Sequence, residues 1–269
     1  MLGARARAAA AAVAIAFAAA AFGLSAQAAQ AVDVALVLAA DVSRSIDDDE
    51  FALQRRGYAA AIADPRVLDA IRSGPHGAIA VAFVEWAGES EQKTVVDWTL
   101  IGEPADARKF AAAVADAPRS FLGRTAIGAA IDFSMDLLVE SGYVADRTVI
   151  DVSGDGTSNQ GRLVTEARDA ALNAGATING LAIFNRRAAA QGGFLALHTN
   201  PPGGIANYYR ENVIGGAGSF VLPIDDFNSF DEAMIRKLVS EISSAAPRGP
   251  SVAALARLGQ SGGTPRREE

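Results

Sequence analysis

The stretch that most restricts the fold is VDVALVLAA (32–40), apolar except for Asp33 and stopped abruptly by DVSRS (41–45). A strand with one wet face alternates polar and apolar residues. An almost unbroken apolar run of this length therefore belongs in a sheet covered on both faces. Covers on both faces imply helices between the strands, and parallel strands need such crossovers.

The rest of the chain fits that demand. The acids of DDDE (47–50) suit the positive end of a helix dipole and open a helix predicted over 47–63 and closed near Pro65. The apolar runs 78–87 and 93–101 flank the polar GESEQ and predict a hairpin, the one antiparallel element. Helical spacing follows over 103–117, with a proline just inside its start, and over 125–141, ending at Gly142. Strands are predicted at 147–154, 176–184 and 218–224, with amphipathic helices at 162–175 and 227–243. The stretch 185–217 is the least regular and reads as a long loop with a short helix near IANYYREN. There is no internal repeat. The expected fold is a doubly wound α/β domain over 32–245, with a mostly parallel central sheet, one antiparallel edge strand, right-handed crossovers and helices on both faces.

The flanks are of a different kind. Residues 1–28 carry two early arginines, an alanine-rich apolar run and small residues, which is the plan of a secretory signal peptide cut after Ala28; a cut after Ala31 also fits. An uncleaved membrane anchor is the competing reading, against which stand the marginal length of the run and the small residues that follow it. The segment 247–269 is rich in Gly, Pro, Ser and Arg and is expected to be disordered. Loss of residues 1–28 removes Arg5 and Arg7 and no acid, taking the formal net charge from -7 to -9. That balance argues against nucleic acid or anionic lipid as a partner, and no stable membrane span is expected after cleavage. A leader on a chain without cysteine places the protein in the periplasm or outside the cell, and excludes disulfides, thiolate metal sites and a cysteine nucleophile.

Ligands of such a sheet sit beyond the carboxyl ends of its strands. DVSRS lies at that end of the first strand. In an extended segment Asp41, Ser43 and Ser45 point to one side, bringing a carboxylate and two hydroxyls together. Asp155 in DVSGDGTSN (151–159) adds a second carboxylate, with Gly154 and Gly156 expected to let the backbone turn sharply. Thr125 in FLGRTAIG (121–128), at the start of a helix, adds a hydroxyl. Two carboxylates, three hydroxyls and water suit Mg²⁺ or Mn²⁺ better than Zn²⁺, with Ca²⁺ also compatible.

DVSRS, GRT and GDG resemble, in order and spacing, the metal-ion-dependent adhesion site of von Willebrand factor type A domains, over about 32–245. More narrowly, DVSRSID, VAFVEWAG, DVSGDGTSNQG and YYRENVIGGAGSFV resemble an exported bacterial domain-of-unknown-function family of that superfamily, DUF1194-like. The resemblance implies a binding module rather than an enzyme. In it Asp41, Ser43 and Ser45 contact a cation directly or through water, Thr125 joins when a ligand is bound, and Asp155 acts through water. A protein or peptide partner supplies a carboxylate as the last ligand. Few direct charges leave the cation electrophilic, so it gains from an incoming acid.

Plainer roles compete at several positions. Asp41 and Ser43 could cap the helix after them, and Thr125 could be an N-cap. Ser158 and Asn159 either steady the loop behind the site or are ordinary turn residues. Arg44, Arg124, Arg186 and Arg187 form a positive rim for an acidic partner, or are solvated charge. Asp151 reads as a buried partner or edge residue inside its strand rather than a ligand. His76 and His198 fall in no ligand spacing and read as surface histidines, and Tyr208 and Tyr209 as core packing of a short helix rather than part of a contact surface. Two further function classes stay open. One is a Mg²⁺-dependent hydrolase or phosphoryl-transfer enzyme, which lacks a visible general base and phosphate loop; the other is a scaffold without metal.

Overall fold

A computed structural model describes residues 29–244. The expected leader over 1–28 and the expected disordered tail over 247–269 lie outside the described residues. Strand β1 (Ala31–Asp41) contains the opening apolar run, and from Val32 onward every residue of it is buried. Its side chains alternate between two cores. Val34, Leu36, Leu38 and Ala40 face one layer of helices, while Ala35, Val37 and Ala39 face the other. Each fully buried Leu contributes roughly 1.5–3 kcal/mol, so the run is committed to the interior.

The first layer is built from α1 (Asp48–Ile62), α2 (Pro65–Arg72), α3 (Pro104–Asp116) and α9 (Phe230–Ser243), through residues such as Tyr58, Ile71, Phe110 and Met234. The second is built from α4 (Ile127–Glu140) and α5 (Val164–Asn173), through Ile127, Ile131, Ala167 and Ala171. The remaining strands are β2 (Ile79–Trp86), β3 (Gln92–Ile101), β4 (Val144–Gly154), β5 (Thr177–Ile183) and β6 (Val221–Ile224), in the order β3-β2-β1-β4-β5-β6. All neighbours run parallel except β2 and β3, the expected hairpin. After β1 the chain builds outward through β2 and β3, then returns to place β4 on the other side of β1. The carboxyl ends of β1 and β4 therefore flank the point where strand order reverses, the place an open α/β sheet offers a ligand.

Two expectations need correction. Pro65 does not merely end the first helix; it starts α2, with Asp64 accepting the Arg66 amide at 2.8 Å as the cap. Proline at the first helical position gives up an amide that would be unpaired anyway. The stretch 185–217 has the short helix expected near IANYYREN, as α8 (Ile205–Tyr208) and a π-turn (Tyr209–Val213), but the loop expected before it is also helical, as α6 (Arg186–Gln191) and α7 (Gly193–Thr199). Glycines at positive φ (192, 193, 203, 204) break it into pieces too short to show a helical period in the sequence.

Asp151, inside β4, is the buried partner expected. Lys237 of α9 contacts its Oδ1 at 2.7 Å and also pairs with Glu241, all three fully or almost fully buried. Two carboxylates thus share one ammonium, and Asn179 donates to Glu241 at 2.9 Å.

Candidate functional site

Asp41 is the last residue of β1, and the chain beyond it does not stay extended. Asp41 Oδ1 accepts the Ser43 amide at 2.7 Å, and the Ile46 amide donates to the Ser43 carbonyl at 3.1 Å. Residues 43–46 are thus a turn, and the three side chains converge because the backbone curls, not because a strand alternates. The helix-capping alternative for Asp41 and Ser43 falls away: Asp47 caps α1, in a reciprocal capping box with Glu50 at 2.9 Å each way. The turn is pinned from behind by Arg119, whose Nη2 donates to the carbonyls of Val42, Ser43 and Ile46 at 2.8–2.9 Å. Gln54 donates to the Asp41 carbonyl at 3.2 Å.

The five oxygen-bearing residues meet. Thr125 Oγ1 donates to Ser43 Oγ at 3.3 Å, Ser43 and Ser45 hydroxyls lie 3.1 Å apart, and Ser45 Oγ donates to Asp155 Oδ1 at 2.6 Å. All of them, Asp41 included, are at most 1% exposed. Thr125 is not a cap, since α4 begins after Ala126 and no side chain of that residue closes it. Its backbone is fixed by Asn159, whose Oδ1 accepts the Thr125 amide at 3.2 Å and whose amide donates to the Thr125 carbonyl at 2.9 Å. Ser158 Oγ accepts the Ile127 amide at 3.3 Å, so both polar residues after GDG steady the Thr125 segment.

Burial, then the neighbouring charge of Asp155, pushes the Asp41 carboxyl well above its usual range. Burial likewise raises Asp155, opposed by hydrogen bonds from Ser45 and Asn185. Among the described residues Asp41 Oδ2 has no hydrogen-bond partner, leaving it an orphaned buried carboxylate oxygen. Two buried like charges with hydroxyls around them and an unused oxygen form a donor set that a hard divalent cation fits.

The glycines of GDG act through space. Neither has a positive φ, so the sharp-turn expectation is not their reason. A Cβ on Gly154 would stand 2.7 Å from Tyr209 Oη and 2.9 Å from Asp41 Oδ2; one on Gly156 would stand 2.3 Å from His198 Nε2. His198 is therefore not a surface histidine. It is 6% exposed, with Nε2 at 3.2 Å from Thr125 Oγ1 and Nδ1 at 3.2 Å from Thr157 Oγ1, and burial lowers its pKa, keeping the ring neutral. Asn185 also escaped the sequence reading. Its Nδ2 donates to Asp155 Oδ2 at 2.7 Å and to the Ser45 carbonyl at 3.0 Å, while its Oδ1 caps α6. An asparagine at a strand end, just before a helix, was the only available signal for it. Tyr209 is core, as expected of packing, and Tyr208 Oη accepts the Ser158 amide at 3.1 Å.

Ser45 and Thr125 open onto a cleft of about 600 Å³ lined also by Arg44, Arg124, Phe194 and Leu195. The arginine rim is thus smaller than expected. Arg187 is held by Asp47 at 2.8 Å and donates to the Ser45 carbonyl at 2.9 Å; Arg186 reaches Asp225 and Asp226 by β6. Their charges are engaged within the domain, whereas Arg44 and Arg124 face the cleft.

At the opposite end of β1 and β4, the fold also gathers Asp33, His76 and Asp146, whose ligand atoms lie within 4.8 Å of one another and could hold a metal ion. Asp33 accepts the His76 amide at 2.9 Å, and His76 Nε2 lies 3.6 Å from Asp146. His76 is thus within reach of a metal-type group that its position in the sequence did not suggest. Arg147 lines the same small cleft and opposes a cation there.

The family described as "Protein of unknown function (DUF1194)" matches residues 31–246. Comparison with curated proteins gives no match. Among solved structures, proximal thread matrix protein 1 from the mussel byssus, with a zinc-occupied MIDAS motif, is similar with a TM-score of 0.52 at 15% identity, over 80% of this chain and 49% of that one. The pilus adhesin SpaC from Lactobacillus rhamnosus GG is similar at 0.53 and 13%, over 78% and 30%. A von Willebrand factor type A protein from Catenulispora acidiphila is similar at 0.52 and 15%, over 79% and 43%. The chain spans less than half the length of each, and at these identities the likeness establishes the fold, that of a von Willebrand factor type A domain.

Proposed function

The chain belongs to the DUF1194 family, and on that premise we propose that it is a divalent-cation-dependent binding module taking a carboxylate of a protein or peptide partner at the Asp41 cleft. The observation that carries this reading is the buried oxygen set itself. Asp41, Ser43, Ser45, Thr125 and Asp155 converge beneath an open cleft, and one buried carboxylate oxygen has no partner among the described residues. These five residues would hold the ion, Mg²⁺ by its preference for compact oxygen sets, with Mn²⁺ and Ca²⁺ also suited. When bound, the cation supplies an electrophilic position that an acid from outside the chain can complete. The chain's own work is to keep the ligand turn fixed through Arg119, to hold Thr125 through Asn159, and to present Arg44 and Arg124 beside the cleft. On the leader pattern of residues 1–28, we place this activity in the periplasm or outside the cell.

The hydrolase alternative gains one candidate base, His198. Both of its ring nitrogens lie 3.2 Å from threonine hydroxyls, so neither is free for a reacting water. Binding is the better reading.

Thermal unfolding after chelation, then with Mg²⁺, Mn²⁺, Ca²⁺ or Zn²⁺, tests the metal step. A ligand at about 100 times its Kd stabilises by roughly 2.7 kcal/mol, which for a domain of this size is a rise of about 5–11 °C in Tm. Asp41→Ala should abolish the rise. An equal response in the variant, or none in the parent, refutes the site. A pull-down from the native envelope fraction with Mg²⁺, with chelator, and with Asp41→Ala then tests the partner step.

A further inference from the structure

The cleft over the oxygen set has two kinds of wall. The DVSRS turn and the GRT segment contribute Arg44 and Arg124, and among the described residues neither guanidinium has an ion-pair or hydrogen-bond partner. Helix α7 contributes Phe194, Leu195 and His198. Of these only His198 is buried. Phe194 is 74% exposed and lies parallel to the His198 ring at 6.0 Å between centroids, and Leu197, on the same short helix, is 65% exposed. A seven-residue helix that turns its histidine inward and leaves two large apolar side chains in water, next to a cleft, has a surface without an internal use. The cleft volume of about 600 Å³ is in the range of ligand sites rather than of packing defects.

We propose that α7 makes this site selective for an acidic peptide segment in which the carboxylate-bearing residue is neighboured by a large apolar side chain, aromatic or aliphatic. The segment's carboxylate goes to the oxygen set, its charge is matched by Arg44 and Arg124, and its apolar neighbour is covered by Phe194 and Leu195. The occupant is argued from charge complementarity. Two unpaired cations line the cleft of a chain whose formal net charge is -7, so the local field favours an acid that the whole molecule would repel. The apolar half follows from α7, because a purely polar ligand would leave Phe194 in water. This inference rests on the metal-dependent reading above.

The test is selection of a random peptide display library on the purified protein in Mg²⁺, in chelator, and on a Phe194→Ser/Leu195→Ser variant in Mg²⁺. The expected outcome is metal-dependent enrichment of peptides with Asp or Glu beside Leu, Phe, Tyr or Trp. The variant should keep the acid and lose the apolar preference. A synthesised winner should bind the variant about five- to tenfold more weakly, the effect of uncovering part of one apolar side chain. The variant must still show the Mg²⁺-dependent rise in Tm, which demonstrates that its fold and oxygen set are intact. Metal-dependent enrichment of acids with no apolar neighbour overturns this inference and leaves the binding reading standing. No enrichment of acids, or enrichment that survives chelator, overturns both.

Discussion

Gly156→Ala is the sharpest probe of how the site is assembled, because its cost can be worked from one contact. Gly156 does not have a positive φ, so alanine brings no backbone strain there. The new Cβ would stand 2.3 Å from His198 Nε2, 2.6 Å from Cε1 and 3.0 Å from Cδ2. Heavy atoms settle at about 3.5–4 Å, so the ring must retreat by roughly 1 Å or more. It cannot do so and keep both threonine hydrogen bonds. Two neutral bonds at about 1 kcal/mol each give an expected loss of about 2 kcal/mol, within the usual 1–3 kcal/mol for overpacking. For a domain of this size that is a Tm lower by roughly 4–8 °C. His198→Ala should forfeit the same two bonds, and the double variant should be no less stable than His198→Ala alone, a coupling of about 2 kcal/mol. Urea unfolding followed by far-ultraviolet circular dichroism measures all corners of this cycle. Additive losses, or a neutral Gly156→Ala, would show that the glycine is not there to admit the histidine.

Three further outcomes are expected. Arg55→Met should cost about 3–5 kcal/mol in urea unfolding, because it strands buried Glu85, which Arg55 pairs with and which also accepts the Ser120 amide at 2.8 Å; a loss under about 1 kcal/mol would mean that Glu85 finds another partner or a proton. Asn185→Ala should weaken Mg²⁺ binding by about 10–100-fold in calorimetric titration by freeing Asp155 Oδ2, and unchanged affinity would remove Asn185 from the site. For Glu241, burial and then the charge of Asp151 push the carboxyl up to about 7, from 4.5. Between those values the folded state keeps a proton that the unfolded chain has released, so stability from this group is present at low pH and is lost as pH rises through about 7. Unfolding free energy should accordingly fall between pH 5 and pH 8, by up to about 3 kcal/mol, and the fall should be smaller in Glu241→Gln; parallel profiles for the two proteins would contradict this assignment.

The fold was legible because its signals are local. VDVALVLAA can only be a strand covered on both faces, the GESEQ hairpin marks the antiparallel edge, and Pro104 and Gly142 bracket helices at the ends where such residues belong. The oxygen set was legible for a related reason: Asp41, Asp155 and Thr125 each stand at an element's end, and an α/β sheet brings such ends to one edge. The short helix near IANYYREN was legible and is α8, but α6 and α7 were not, since six or seven residues beside glycines carry no measurable period.

The sequence by itself determined the layers, the strand directions and which oxygen-bearing side chains reach the reversal point of the sheet, because hydrophobic period and turn chemistry are properties of neighbouring residues. Tertiary structure alone decided what surrounds them. It decided that Arg119 pins the 43–46 turn, that Asn185 holds Asp155, and that Gly154 and Gly156 serve clearance rather than curvature. It also decided that His198 is buried against Thr125 while Arg44 and Arg124 have no charge partner among the described residues. These are contacts between residues tens of positions apart, set by how a strand end, a loop and a short helix pack, and no local pattern in the chain encodes the distances between them.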